Sequence, residues 1–256
     1  MREAPTAFQE DKMDNLAYPH FLFYLLPLEE IDHQVMEFLA AIIKERFRAP
    51  AIILPPEDLP KITGKSDGRR RKTYSADILF GHLKKIMPAD GRRLIGVTRR
   101  SLTSDDYPGD YDGMAIIGGS VALISIRRLR FWLFWPRIFW RRLTVLALHE
   151  IGHTFGNRHC RERCPMSAGN FFQELNFCDS CQGRINRYLL MDATLHLINL
   201  GKNFEGNGDI SKARAALSAA QSRFERLMKI TAESYQMTLA RLGEEIARLE
   251  EKVDAK

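Results

Sequence analysis

No stretch of this chain reaches the 18 uncharged apolar residues that a membrane-crossing helix needs. The opening residues, MREAPTAFQEDKMDN, lack the basic and then apolar pattern of a signal peptide, so a cytoplasmic protein is expected. Cysteine is scarce: Cys160, Cys164, Cys178 and Cys181 are the only four in 256 residues, and all fall within 22 residues. Disulfides stapling a chain of this size would not be crowded in that way, and in a reducing compartment such a cluster reads as metal ligands. A phosphate-cradling loop is missing, because the glycine required ahead of Gly64-Lys65-Ser66 is absent. Charge of one sign does not dominate, with 38 basic against 32 acidic residues and a formal charge of +6. No nucleic-acid recognition module accompanies the RRRK run at 69–72, which excludes specific nucleic-acid binding as the main function.

What is present is ordinary globular composition, 45% hydrophobic and 27% charged, in a chain long enough to bury a full core. After a loose leader over 1–19, FLFYLLPL at 21–28 reads as a buried strand. Asp32 then caps a helix whose Val35, Phe38, Leu39, Ile42, Ile43 and Phe47 form one apolar stripe. PAIILP at 50–55 reads as a second strand, residues 56–72 as a long loop, 73–88 as a second helix, and Leu94 to Thr98 as a further strand. Around the Gly118-Gly119 break, 113–117 and 121–126 read as two adjacent strands. Strands alternating with helices make this an α/β chain. A helix at 183–200, a linker at 201–209 and one or two amphipathic helices over 210–251 complete it. That last region, a helical extension over 201–256, has three available uses: packing on the main domain, an αα-hairpin, or oligomer or partner contact.

The passage RRLRFWLFWPRIFWRRL, 127–143, mixes aromatics with arginines. It could touch a membrane surface peripherally, bind a partner protein, or complete the core with its aromatics; the last is favoured because Pro136 interrupts any interfacial helix. The active-site helix is expected to start near Ile138 or Trp140 and to run to about Phe155.

Chemistry concentrates in HEIGHTFGNRHC, 149–160. His149 and His153 lie four residues apart, one helical turn, so both imidazoles can face one ion with Glu150 beside it. Gly156 can end the helix with a positive φ and bring His159 round as a third nitrogen ligand. Three neutral imidazoles leave a fourth position of zinc open for water, and Glu150 is placed to take a proton from that water as general base. The joint chance of these five fixed positions is on the order of one in ten million per window, which makes a fortuitous match a poor explanation. The four cysteines, spaced C-x3-C, thirteen residues, C-x2-C, suit a closed tetrahedral structural zinc, with redox-active thiols or iron–sulfur ligation as the alternatives. One catalytic and one structural zinc per chain are therefore expected.

The HExxHxxGxxH run, followed at once by Cys160, Cys164-Pro165-Met166 and Cys178-x2-Cys181, resembles the archaemetzincin family of zinc metallopeptidases, with YLLPL at 24–28, LIGVT at 94–98 and ALISIRRLR at 122–130 falling where that family has strands. The resemblance implies an α/β fold: a compact metzincin-like domain over 20–200 with a mixed twisted sheet, an active-site helix and, here, a C-terminal helical extension. It also implies that Met166 is the Met-turn methionine beneath the histidines, and that an antiparallel edge strand, here within 111–120, aligns a peptide substrate. Hydrolysis of peptide bonds is the implied activity, with cleavage at free N-termini of small peptides among its forms. The alternative is a zinc-stabilised protein-interaction module with a masked or vestigial peptidase site. Two departures concern the family region, where the first cysteine pair and the connection to the second are shorter than usual and 127–143 resembles an insertion over the mouth. A third is the extension, for which the resemblance supplies no role.

Overall fold

A computed structural model describes residues 18–57, 73–106, 109–129, 135–168, 174–230 and 236–255. The expected leader, except for its last two residues, and most of the expected 56–72 loop lie outside the described residues, as do 130–134 of the aromatic and arginine passage. The first strand, β1, is Leu22–Pro27, and α1 follows over His33–Phe47 with Asp32 Oδ1 accepting from Gln34 N–H at 2.9 Å. β2 (Ala51–Ile53), β4 (Gly91–Thr98) and β7 (Val121–Ser125) join β1 as parallel strands. β6 (Gly113–Ala115) closes the sheet as an antiparallel edge strand, giving the order β2-β1-β4-β7-β6. The sheet is mixed, as expected.

Alternation along the central strands decides which side each residue faces. Phe23, Leu25, Ile95, Val97, Ala122 and Ile124 face α1, α3 (Pro136–Thr154) and the first part of α4 (Asp179–Gly206). Tyr24, Leu26, Leu94, Val121 and Leu123 face α2, Ala76–Ile86. Burial on both faces explains why these strands read as continuous apolar runs rather than alternating ones.

Several expectations need correction. The start of the expected 73–88 helix is a strand, β3 (Thr73–Ser75), which pairs in parallel with β5 (Ser101–Thr103) as a separate small sheet; Ser75 Oγ then caps α2. Pro136 does not interrupt a helix. It stands in the first turn of α3, where its fixed φ suits helix initiation and its missing N–H costs nothing. Phe139 and Leu143 are buried in the core and Trp140 packs on Phe38 with ring centroids 4.4 Å apart, so this part of the passage completes the core.

The stretch 201–209 is not a linker over most of its length, since α4 continues unbroken across Leu200 to Gly206. Its second part packs with α5 (Ile210–Ile230) and α6 (Gln236–Asp254) around Leu190, Ile198, Leu217, Leu227, Leu242, Ile246 and Leu249. The amphipathic faces of the extension thus meet one another and α4. No helix among the described residues is long and apolar enough to cross a membrane.

Where α4 meets the sheet, Arg93 is buried against three aromatic faces, its guanidinium carbon 4.9 Å from the Phe155 centroid, 5.3 Å from Phe21 and 4.7 Å from Tyr188. It also donates to Thr154 Oγ1 and to the Thr154 carbonyl, at 3.0 and 3.2 Å. A buried cation needs such partners, and these hold the C-terminal end of α3 against both β4 and α4.

Candidate active site

α3 carries His149, Glu150 and His153 on its last two turns, and Thr154 ends it. Gly156 has φ +82°, as expected, and its N–H donates to the His153 carbonyl at 2.9 Å. The chain turns back from there. Ring nitrogens of His149, His153 and His159 converge within 4.8 Å of one another, with the His149 Nε2 atom 3.1 Å from His153 Nε2 and 3.2 Å from His159 Nε2. Nitrogens on two corners of a zinc tetrahedron stand about 3.3 Å apart, so the donor set fits that ion. On the two helix histidines the remaining nitrogen is fixed by a backbone acceptor: His149 Nδ1 donates to the Pro165 carbonyl at 2.6 Å and His153 Nδ1 to the Asn157 carbonyl at 2.7 Å. These bonds select the tautomer that leaves Nε2 unprotonated for a metal. Burial, the largest cause, holds His149 down to about 4 and lowers His153 as well, which favours neutral imidazoles.

Met166 is fully buried beside α3. A Cβ built on Gly152 would fall well inside 3.0 Å of the Met166 sulfur, so glycine at 152 is what lets the thioether lie against the helix between the two histidine positions.

The four cysteines come together as the spacing suggests, their Sγ atoms within 4.8 Å of one another, and form a second group able to hold a metal. Two links tie this group to the first. Cys160 N–H donates to the Met166 carbonyl at 3.0 Å, and the buried Asn157 side chain donates to the Cys181 carbonyl at 3.3 Å. Asn157 therefore touches both groups: its own carbonyl orients His153, and its amide reaches the cysteine loop.

Glu150 is 5% exposed. Burial first, and then the nearby Asp112 carboxylate, push it up to about 8. Asp112 itself is raised by burial and opposed by Arg128, which lies 3.5 Å away. Glu150 lies directly against Gly113 of the edge strand. Ser125 N–H donates to the Asp112 carbonyl and Ile116 N–H to that of Val121, so residues 112 and 116 turn their polar groups toward β7. By the alternation of an antiparallel pair, Gly113 and Ala115 turn theirs to the outer edge, where no further strand pairs among the described residues. At the hairpin tip, Gly118 N–H donates to the His153 carbonyl at 2.9 Å, which docks the hairpin onto the end of α3.

A family model described as Peptidase family M54 matches residues 20–187. The chain belongs to this family. An archaemetzincin of Archaeoglobus fulgidus is 28% identical over 167 residues, covering 63% of this chain and 97% of that protein. An archaemetzincin of Methanopyrus kandleri is 28% identical over 168 residues, covering 63% of this chain and 87% of the other. The crystal structure of the Archaeoglobus protein, complexed with malonate, superimposes with a TM-score of 0.53 at 25% identity over 64% of this chain and 99% of that one. The Methanopyrus structure gives 0.58 at 24% identity, covering 66% of this chain and 96% of that one. The protein is thus a zinc metallopeptidase of the archaemetzincin family with a metzincin-like α/β fold, and α5 and α6 lie beyond the matched region.

Of the expected site residues, His149, His153 and His159 form one cluster and the four cysteines the other, Met166 lies against Gly152, Glu150 against Gly113, and Gly156 makes the turn before His159. Sequence reasoning missed Asp112, Gly113, Gly152 and Asn157. Gly152 and Asn157 sit inside the motif at its variable positions, and only the packing of Met166 and the cysteine loop gives them a part.

Proposed function

We propose that the protein hydrolyses small peptides bound in extended form along β6, with zinc held by His149, His153 and His159 and with Glu150 as general base. A second zinc held by Cys160, Cys164, Cys178 and Cys181 braces the loop that carries His159 and Met166. The carrying observation is the convergence of ring nitrogens of His149, His153 and His159, with the buried Glu150 next to His149 on α3 and against Gly113 of β6, which ends the sheet among the described residues. Zinc bound there supplies Lewis acidity that makes water easier to deprotonate and a carbonyl easier to attack. Outward N–H and C=O groups of Gly113 and Ala115 offer a substrate backbone the hydrogen bonds of one more strand, which sets its register against α3. In its ionised form Glu150 accepts the proton of the attacking water and delivers it to the departing amine. The β6 backbone lies against it and leaves it buried, so the carboxylate works in a low-dielectric seat.

A masked interaction module gains no support from these residues. A purely structural three-histidine site would have no use for a buried carboxylate next to His149 on α3 and against Gly113 of β6.

Digestion of a peptide library, with zinc counted per chain, tests the proposal. Cleavage is expected from the intact protein, with two zincs bound, and from Glu150→Gln no turnover at undiminished zinc content. Turnover retained by Glu150→Gln would overturn the assignment of the base. Pairing each free peptide with its N-acetylated form reads the end preference directly: loss of cleavage on acetylation marks an aminopeptidase.

A further inference from the structure

We propose that Gly113 is a positioning residue for the reaction: the side chain it lacks is the seat of the Glu150 carboxyl group. The inference rests on the reading of Glu150 as general base. An ideal Cβ on Gly113 would stand 2.5 Å from Glu150 Oε1, 2.6 Å from Cγ and 2.7 Å from Cδ, all below the 3.0 Å that real Cβ atoms essentially never cross. The whole end of the glutamate, and not only its tip, lies on the strand backbone.

The requirement is one of space. Among the described glycines Gly109, Gly118, Gly156 and Gly208 have positive φ and Gly113 does not, so its backbone conformation is open to any residue. Strand alternation points its missing side chain at α3, while Met114 and Ile116 pack on the opposite face. If a Cβ is added, something must move, and β6 is held on three counts. Asp112 and Ile116 are bonded to β7, and Gly118 is bonded to the His153 carbonyl. Glu150 is the part that yields. Because Gly113 also turns its N–H and C=O to the outer edge of the sheet, one residue sets both the register of the substrate backbone and the place of the base beside it.

The test combines turnover with a stability cycle that needs no activity. Gly113→Ala is expected to lower kcat about 100-fold or more, as expected for a base displaced by ~1 Å, while KM changes less than about threefold and zinc content is unchanged. In the cycle, Gly113→Ala is expected to lower Tm in the Glu150 protein and to leave it unchanged in a Glu150→Ala background, where the added methyl enters the vacated space. If Gly113→Ala alone does not fold, folding of the double variant carries the same meaning, and failure of both overturns the proposal. Wild-type kcat in Gly113→Ala, or an equal Tm loss in both backgrounds, overturns it as well, since the strand would then want glycine for its own sake. Turnover by Glu150→Gln would sink the base assignment alone, because the stability cycle reads the contact whatever the glutamate does.

Discussion

Replacing Gly152 by alanine opposes two effects of similar size. In the interior of α3 the substitution gains roughly 0.5–1 kcal/mol, because alanine gives up less backbone entropy than glycine on entering a helix. Against this, the new Cβ intrudes on the Met166 sulfur and stands 3.2 Å from Phe177 Cε1. Met166 has little room to retreat, being fully buried in a cluster with Cys164, Cys181 and the partly buried Phe177. Overpacking of a filled core costs about 1–3 kcal/mol, so the net effect is destabilising by up to roughly 2.5 kcal/mol. For a chain of this size that lowers Tm by up to about 10 °C.

The displacement should also reach the histidines. Met166 follows Pro165, whose carbonyl accepts from His149 Nδ1, and the Met166 carbonyl accepts from Cys160 N–H. Loss of a bond that orients a ligating histidine typically lowers metal affinity 10–100-fold. Thermal unfolding of the zinc-loaded protein and competition with a chromogenic chelator measure the two effects separately. A Gly152→Ala protein with raised Tm and unchanged zinc affinity would refute the reasoning, for helix propensity would then have won and the thioether would not be confined under the site.

The sequence made local features plain where the physics is local. Asp32 at the start of α1, Gly156 at the turn before His159 and the Gly118-Gly119 pair between β6 and β7 behave as their residue types require. The ligand sets were legible for a related reason, since helical periodicity and a short return loop suffice to bring histidines or thiols together. Thr73–Ser75 was missed because three residues become a strand only through pairing with Ser101–Thr103, far along the chain. Gly201 and Gly206 read as punctuation, yet α4 runs through them. An added Cβ on Gly201 would stand 3.0 Å from Leu217 Cδ2, so that glycine serves close packing of α4 on α5. Gly113 and Gly152 likewise owe their identity to a side chain arriving from elsewhere, and nothing in a single sequence marks such a need.

The link between the two metal groups predicts that Cys178→Ser, which removes one of four thiolates, loses one zinc and at least tenfold in activity, through Met166 and Asn157. A folded Cys178→Ser protein with one zinc and full activity would show the two sites to be mere neighbours. A second prediction concerns the junction of α4 with the sheet, where His20 stacks on His196 at 4.6 Å between ring centroids and its Nε2 lies 3.6 Å from Asp192 Oδ2. Burial, then His196, Arg223 and Arg92, hold His20 down to about 4 from its ordinary 6.5. The neutral ring is therefore the form that the fold keeps. As pH falls below 6.5 the unfolded chain takes up the proton first, so stability is fully present above 6.5 and declines toward pH 4. One proton bound only by the unfolded state sets a slope of about 1.4 kcal/mol per pH unit. His20→Phe keeps a ring against His196 and removes the titration, so subtracting its unfolding free energies from those of the unsubstituted protein isolates this residue from the metal-binding histidines. The difference should change with that slope between pH 6.5 and about 4 and lie flat above 6.5. Parallel profiles across the whole range would mean that His20 titrates alike in folded and unfolded chains, and that the contacts around it do not hold the ring neutral.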